Sequence, residues 1–178
     1  MKLTAKIRLA LNHLRTGVIA HPTDTIYGLA CLANNQSAIQ TLADLKQRDI
    51  NKGFILLASD IDFLLPYIDP NLDIELLQKL TKPVDKPTTY LAPKSENVSS
   101  LITGDHELLA VRITSDPLIS YFCENTGSAL ISTSANTQGN EVAKSILELR
   151  RYFGNELDFA LPPNKSVSYT HLTLPTKA

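Results

Sequence analysis

Residues 37–58 read SAIQTLADLKQRDINKGFILLA and contain the change of pattern that decides the fold. Ile39 and Leu42 follow helical spacing, so the first part predicts an amphipathic helix over about residues 37–46. A polar loop follows it, and the apolar run 53–58 predicts a buried strand. A helix joined by a short loop to an apolar strand is typical of α/β proteins.

The same alternation continues in both directions along the chain. Thr4 is placed to cap a first helix that ends near Gly17, and a strand is predicted directly after it over residues 18–21. Further strands are predicted over 88–92, 108–113 and 129–132, and further helices over 71–80, from Asp116-Pro117 onward, and over 141–153. The pattern predicts one α/β domain with a sheet that is at least partly parallel.

Length and composition exclude several classes of protein. A chain of 178 residues with a formal net charge of −1 is long enough for one well-buried core and is not a globally basic nucleic-acid binder. Cys31 and Cys123 are too few and too far apart for a disulfide framework, so we expect a reduced, cytoplasmic protein. No apolar run approaches the ~20 residues of a membrane helix, and we expect no membrane partner.

The last residues differ in style from the rest of the chain. Residues 166–178, SVSYTHLTLPTKA, contain no acidic residue and no clear period. We interpret them as an atypical tail, vector-derived or out of frame, and place the domain at residues 1–165.

Polar segments follow three of the predicted strands or helices, where α/β sheets commonly bind ligands. The first, HPTDTIYGL at 21–29, combines hydroxyl and carboxylate side chains with Pro22 and Gly28. It suits a small polar ligand held against the backbone, and it equally suits a capped turn whose side chains bond to their own backbone.

The other two segments suit anions. In residues 46–53, Lys46, Arg48 and Lys52 supply the cations that a triphosphate needs, although cations are also common at solvated helix ends. Residues 132–139, STSANTQG, offer hydroxyls and backbone N–H groups to phosphate or carboxylate oxygens. This segment is neither a Walker A loop nor a GxSxG nucleophile elbow.

Histidine and cysteine give weaker indications. His21 is interpreted as a polar residue at a strand end, and Cys31, with no evident base beside it, as a buried inert thiol. No spacing typical of a transition-metal site is present, so we expect no protein-held metal.

Five segments in order carry a family resemblance: HPTDTIYGLA (21–30), LKQRDINKGFILLA (45–58), PTTYLAP (87–93), LLAVRIT (108–114) and ALISTSANTQG (129–139). Together they cover roughly residues 5–162 and closely resemble the YrdC-like threonylcarbamoyl-AMP synthases, also called TsaC, in their short, single-domain bacterial form. The resemblance implies a twisted, open, mixed α/β sheet with flanking helices around a concave, positively charged cavity.

The activity that the resemblance implies is nucleotidyl transfer. L-Threonine, bicarbonate and ATP give L-threonylcarbamoyl-AMP and pyrophosphate, and the product feeds the threonylcarbamoyladenosine modification of tRNA. The implied partners are these substrates, tRNA and other proteins of the modification pathway. Mg²⁺ is expected to bind with the ATP phosphates.

The resemblance also implies roles for individual residues. Lys46 and Arg48 match a KxR pair that faces the nucleotide phosphates and is expected to be catalytic, with Lys52 helping to neutralise the charge. Further nucleotide contacts are implied for Thr89, Ser132, Ser134 and Asn136, and threonine contacts for Thr25 and Arg112.

Two alternatives and one departure accompany this interpretation. The same fold could serve as a non-catalytic module that binds double-stranded RNA or tRNA, although no RRM- or KH-type motif is present. It could also be a carbamoyl-transfer domain, against which the short length and the lack of zinc-finger additions argue. After about Pro163, relatives continue into a Pro-Ser-Thr-Ile-like strand that the atypical tail replaces, which predicts an incomplete nucleotide site and poor activity.

Overall fold

A computed structural model describes residues 4–23, 26–47, 49–82, 87–137 and 139–163. The helices are α1 (Ala5–Leu14), α2 (Gln36–Lys46), α3 (Ile74–Thr81), α4 (Ser100–Thr103), α5 (Pro117–Thr126) and α6 (Ile146–Phe153). The strands are β1 (Ile19–Pro22), β2 (Tyr27–Leu32), β3 (Ile55–Ala58), β4 (Tyr90–Pro93), β5 (Leu108–Ile113), β6 (Leu130–Ser134) and β7 (Phe159–Ala160). Short 3-10 helices occur at Ile50–Lys52, Ile61–Phe63 and Leu65–Tyr67.

The strands form one open sheet in the order β4-β5-β3-β6-β2-β1-β7. The pairs β3/β5 and β1/β7 are parallel. The pairs β1/β2, β2/β6, β3/β6 and β4/β5 are antiparallel. The predicted mixed α/β sheet with flanking helices is therefore confirmed, with more antiparallel pairing than the sequence pattern indicated.

Helix ends follow the capping residues seen in the sequence. Thr4 caps α1 by accepting a hydrogen bond from the Ile7 N–H, and the apolar face of this helix is buried. Asp116 caps α5 through Oδ1, which accepts from the N–H groups of Leu118 and Ile119 at 2.7 and 3.3 Å. These interactions satisfy N–H groups that have no partner within the helix.

Several elements differ from the sequence predictions. Residues 27–32 form a fully buried strand, β2, which was not predicted and begins within the polar segment at residues 21–29. Strand β6 runs on through Ser134 instead of ending at residue 132. Helix α6 begins at Ile146, not at residue 141, because Ser145 is its N-cap.

The late start of α6 has a second physical cause. The Ala143 N–H donates to the Ala135 carbonyl at 2.8 Å, and the Ala143 carbonyl accepts from the Tyr27 N–H at 2.8 Å. Because the N–H and the carbonyl of Ala143 are both hydrogen-bonded to other segments, Ala143 does not join the helix. The segment before α6 is thereby held against β2 and the end of β6.

Gly53 allows the loop before β3 to approach α4 closely. Its φ is +58°, and a Cβ at this position would lie 2.7 Å from the Thr103 carbonyl oxygen. The next residue, Phe54, donates its N–H to the Ile102 carbonyl at 2.7 Å. A side chain at position 53 would therefore be strained and would separate the two segments.

The hydrophobic core lies on the sheet and beneath the helices that flank it. Its largest fully buried side chains include Leu14, Leu42, Leu56, Phe122 and Ile131. Within the described ranges, no helix is both long enough and apolar enough to cross a bilayer. The tail predicted at residues 166–178 lies outside the described residues.

Candidate functional site

One face of the sheet collects three of the predicted site residues. Ser132 of β6 is paired with Ile55 of β3, which is paired in turn with Ala110 of β5. Cross-strand partners share a face, and side chains two residues apart along a strand do so too. Ser132, Ser134 and Arg112 therefore belong to the same face.

A cavity of about 380 Å³ opens on this face. It is lined by Thr23, Ile26, Tyr27, Gly28, Ile55, Leu57, Pro87, Arg112, Ser132, Thr133 and Ser134. An apolar floor with a few hydroxyls and one guanidinium is typical of a site for a small polar ligand. Three residues proposed from the sequence, Arg112, Ser132 and Ser134, thus lie in one cavity.

Arg112 is held by Thr89, the residue directly before β4. Its Nε and Nη2 donate to the Thr89 hydroxyl oxygen at 3.0 and 2.7 Å. A guanidinium carries five N–H donors, so the remaining donors can serve a carboxylate or phosphate oxygen. The family resemblance implies different substrates for these two residues, and the structure brings them into direct contact.

Lys46 lies at the end of α2 and is almost fully buried. Its Nζ donates to the carbonyl oxygens of Ser134 and Asn136 and to Oδ1 of Asn136, at 2.6, 3.0 and 2.9 Å. Asn136 Oδ1 also accepts from the Ser134 hydroxyl at 2.8 Å. The structure therefore brings Lys46, Ser134 and Asn136 together.

Lys52 lies apart from this group. It lines a second cavity of about 480 Å³ together with Phe54, Leu91 and Ala110, among others. Because Ala110 is the register partner of Ile55 in the first cavity, the two cavities are neighbours on the same sheet face. Arg48 and Thr25, the remaining predicted site residues, lie outside the described residues.

Comparison with known proteins decides the family. The Sua5/YciO/YrdC family model, described as "Telomere recombination", matches residues 13–171. The chain belongs to the Sua5/YciO/YrdC family. It is 40% identical to the threonylcarbamoyl-AMP synthase of Nitrosococcus oceani over 88% of this chain and 85% of that protein. It is 43% identical to the protein of the same name from Mannheimia succiniciproducens, over 77% of this chain and 75% of that protein.

Solved structures of family members share the fold. P. abyssi Sua5 complexed with L-threonine aligns with a TM-score of 0.79 and 23% identity, over 92% of this chain and 48% of that chain. E. coli YciO aligns with a TM-score of 0.66 and 24% identity, over 86% of this chain and 75% of that chain. The chain thus spans about half the length of the P. abyssi protein.

His21 was interpreted from the sequence as a polar residue at a strand end, and the structure shows that its ring is also buried. Its Nε2 is buried without a hydrogen-bond partner among the described residues, and a Cβ on Gly28 would lie 2.9 Å from it. Burial lowers the pKa of His21 below 6.5, while a backbone hydrogen bond at Pro22 and the charge of Asp116 act in the opposite direction. The pairing with Gly28 depends on β2, the strand that the sequence pattern did not reveal.

Cys31 is buried, as predicted, and burial raises the pKa of its thiol to about 12. A protonated thiol is a poor nucleophile, so Cys31 does not suit covalent catalysis. Among the residues that the structure describes, no group of three or more His, Cys, Asp or Glu side chains could hold a metal ion.

Proposed function

We propose that this chain is a threonylcarbamoyl-AMP synthase, which makes L-threonylcarbamoyl-AMP and pyrophosphate from L-threonine, bicarbonate and ATP. The observation that carries the proposal is the identity of about 40% to proteins of that name across most of both chains. The cavity chemistry supports it, because Arg112 and the Ser132 hydroxyl offer donors to carboxylate and phosphate oxygens on one sheet face.

The chemistry requires positioning more than a protein nucleophile. The threonine amine attacks bicarbonate, and loss of water leaves a carbamate. A carbamate oxygen then attacks the α-phosphorus of ATP, the bond between the α- and β-phosphates breaks, and pyrophosphate leaves. The protein contributes by aligning the two reactants and by neutralising the phosphate charge.

Roles for the described residues follow from their donors. Arg112, held by Thr89, would pair with the threonine carboxylate through its remaining N–H groups. Ser132 would donate its hydroxyl to a nucleotide phosphate oxygen, and Ser134 would do so by turning its hydroxyl from Oδ1 of Asn136 to the phosphate. Lys52 would supply positive charge from the neighbouring cavity. We assign Thr25 and Arg48 to threonine and phosphate, respectively, from the family resemblance alone.

ATP is proposed to enter as its Mg²⁺ complex. Mg²⁺ commonly keeps several waters and binds through substrate phosphates instead of an all-protein cage. Such binding needs no cluster of acidic side chains on the protein. We further propose a cytoplasmic enzyme whose product passes to other proteins that modify tRNA, in preference to a non-catalytic RNA-binding module.

Identification of the product tests the proposal. The chain is incubated with ATP, Mg²⁺, L-threonine and ¹³C-bicarbonate, and the nucleotides are analysed by mass spectrometry without delay. We expect a threonylcarbamoyl adenylate that carries one heavy carbon, at similar yield with Lys79→Ala, a variant at an exposed surface ion pair. An adenylate without the heavy carbon, or none at all, would contradict the proposal.

A further inference from the structure

The ammonium group of Lys46 is surrounded by protein acceptors. Among the described residues it donates to two backbone carbonyls and to Oδ1 of Asn136, over distances between 2.6 and 3.0 Å. A lysine ammonium has three protons and accepts no hydrogen bond, so these contacts are enough to engage all of its donors. The side chain is 5% exposed, which is rare for lysine unless its charge is compensated.

All three acceptors belong to residues 134–136, which we call the serine–asparagine segment. The segment begins at the last residue of β6, whereas Lys46 is the last residue of α2. Gln47 then takes a left-handed conformation with φ of +49°, which ends the helix directly behind the lysine. Lys46 therefore joins the end of a helix to a segment 88 to 90 residues away in sequence.

The geometry of the segment depends on this ammonium. Lys46 brings two carbonyl oxygens and the Asn136 Oδ1 around one point, and the same Oδ1 also accepts from the Ser134 hydroxyl. Without a cation among them, these oxygens would repel one another and each would lose a charge-assisted hydrogen bond. The Ser134 carbonyl and the Asn136 Oδ1 would keep only neutral donors, the Asn136 N–H and the Ser134 hydroxyl. Further links of the segment do not involve the lysine, among them Ala135 N–H to the Tyr27 carbonyl, Ala143 N–H to the Ala135 carbonyl and Asn136 Nδ2 to the Asn140 carbonyl.

We propose that Lys46 is a positioning residue that fixes the serine–asparagine segment for ligand binding and does not itself hydrogen-bond a phosphate. The inference deepens the proposed function and rests on it for the identity of the ligand. A phosphate oxygen on Nζ would have to displace one of the three acceptors, which would lose a charge-assisted hydrogen bond in a partly buried place. Lys46 thus acts on the nucleotide through Ser134 and Asn136, and its charge acts only at a distance.

Hydrogen exchange of the nucleotide-free protein tests the positioning role directly. Lys46→Met keeps the length of the side chain and removes the donors. We expect amides in peptides covering residues 134–143 to exchange at least tenfold faster, while peptides of α1 are unchanged. The control is Lys52→Met, which removes an exposed ammonium lining the second cavity and should leave exchange at 134–143 as in the unmodified chain. Unchanged exchange in Lys46→Met would overturn the proposal.

Substitution of Lys46 by arginine distinguishes a positioning role from a general need for positive charge at this place. The planar guanidinium cannot direct three protons at acceptors around one point as an ammonium does. We expect Lys46→Arg to behave like Lys46→Met, with fast exchange at 134–143 and an affinity for Mg²⁺-ATP lowered at least tenfold in calorimetry. An arginine variant that retains the affinity would show that the residue serves as a direct phosphate cation and would overturn the proposal.

A second variant covers the case in which Lys46→Met does not fold. Asn136→Ala removes one of the three acceptors and leaves the two carbonyls in place. We expect a smaller acceleration of exchange in the same peptides, and no acceleration would overturn the proposal. Because exchange is measured without substrates, its outcome is independent of whether the chain makes threonylcarbamoyl-AMP.

Discussion

Arg112 and Thr89 form a donor–acceptor pair in which one hydroxyl oxygen receives two guanidinium N–H groups, at 3.0 and 2.7 Å. The pair lies across the β4 and β5 side of the sheet, and Arg112 lines the cavity that also contains Ser132 and Ser134. Family resemblance assigned Arg112 to threonine and Thr89 to the nucleotide. Their contact suggests that Thr89 serves the threonine site by holding the guanidinium.

Substitution of Thr89 by valine tests this role. The variant keeps the shape of the side chain and removes the oxygen, so the guanidinium loses its fixed orientation. We expect the KM for L-threonine to rise about tenfold, equivalent to about 1.4 kcal/mol, with the KM for ATP changed less than twofold. Initial rates of pyrophosphate release at varied threonine and varied ATP provide the measurement. A larger rise in the KM for ATP would assign Thr89 to the nucleotide instead.

Gly28 is predicted to tolerate no side chain, because His21 occupies the adjacent space. An added Cβ would lie 2.9 Å from Nε2 and 3.3 Å from Cε1 of this buried ring. We expect Gly28→Ala to lower the free energy of unfolding by about 1–3 kcal/mol in urea titrations. The matched test is the same change in a His21→Ala background, where the penalty should largely disappear. An equal penalty in both backgrounds would contradict the steric explanation.

Stability is predicted to fall in mildly acidic solution because of His21. Burial lowers its pKa in the folded chain, so between that pKa and about 6.5 the unfolded chain binds more protons than the folded one. The unfolding free energy should therefore decrease as the pH falls below about 6.5, by at most about 1.4 kcal/mol per pH unit.

Two variants identify the group responsible for this pH dependence. His21→Leu should remove the slope between about pH 6.5 and the lowered pKa, because the titrating ring is absent. The control is His106→Gln, a change at an exposed histidine. The unfolding free energy of this variant should depend on pH as it does in the unmodified chain. If His21→Leu shows the same slope as the unmodified chain, another group is responsible.

Catalysis is predicted to proceed without a cysteine. The Cys31 thiol is buried and its pKa is raised to about 12, so it is protonated at neutral pH. We expect Cys31→Ala to retain kcat within a factor of two while stability decreases by about 1 kcal/mol. Pyrophosphate release and urea unfolding of the same preparation measure both quantities. A loss of activity in a folded variant would indicate a role for the thiol in the reaction.

Local signals in the sequence were sufficient for several helices and strands. Thr4 and Asp116 cap the helices that their positions predicted, and the apolar run before Ala58 forms β3. Each of these features depends on neighbouring residues, either through capping of free N–H groups or through burial of a short apolar run.

Features that depend on distant partners were not accessible in this way. Strand β2 has no alternation, since all six of its residues are buried between β1 and β6, and Gly28 weakens any local strand signal. Ala143 is excluded from α6 by bonds to Tyr27 and Ala135. The contacts of Lys46 with residues 134–136 likewise arise only when α2 and β6 are brought together.

For the candidate site, the sequence identified residue types but not their arrangement. Arg112, Ser132 and Ser134 were proposed from separate segments, and the sheet register places them in one cavity. Lys52, which lies near Lys46 in sequence, lines the neighbouring cavity instead. The positive charge predicted for the whole cavity, and the domain boundary at residue 165, stay predictions.

The most direct test of the central claim is the substrate dependence of pyrophosphate release. The chain is assayed with Mg²⁺-ATP alone, with L-threonine or bicarbonate added singly, and with both, alongside Arg112→Ala. We predict release only when both co-substrates are present, and a loss of at least tenfold with Arg112→Ala at subsaturating threonine. Release from ATP that is independent of threonine and bicarbonate, or no release under any condition, would contradict the assignment as a threonylcarbamoyl-AMP synthase.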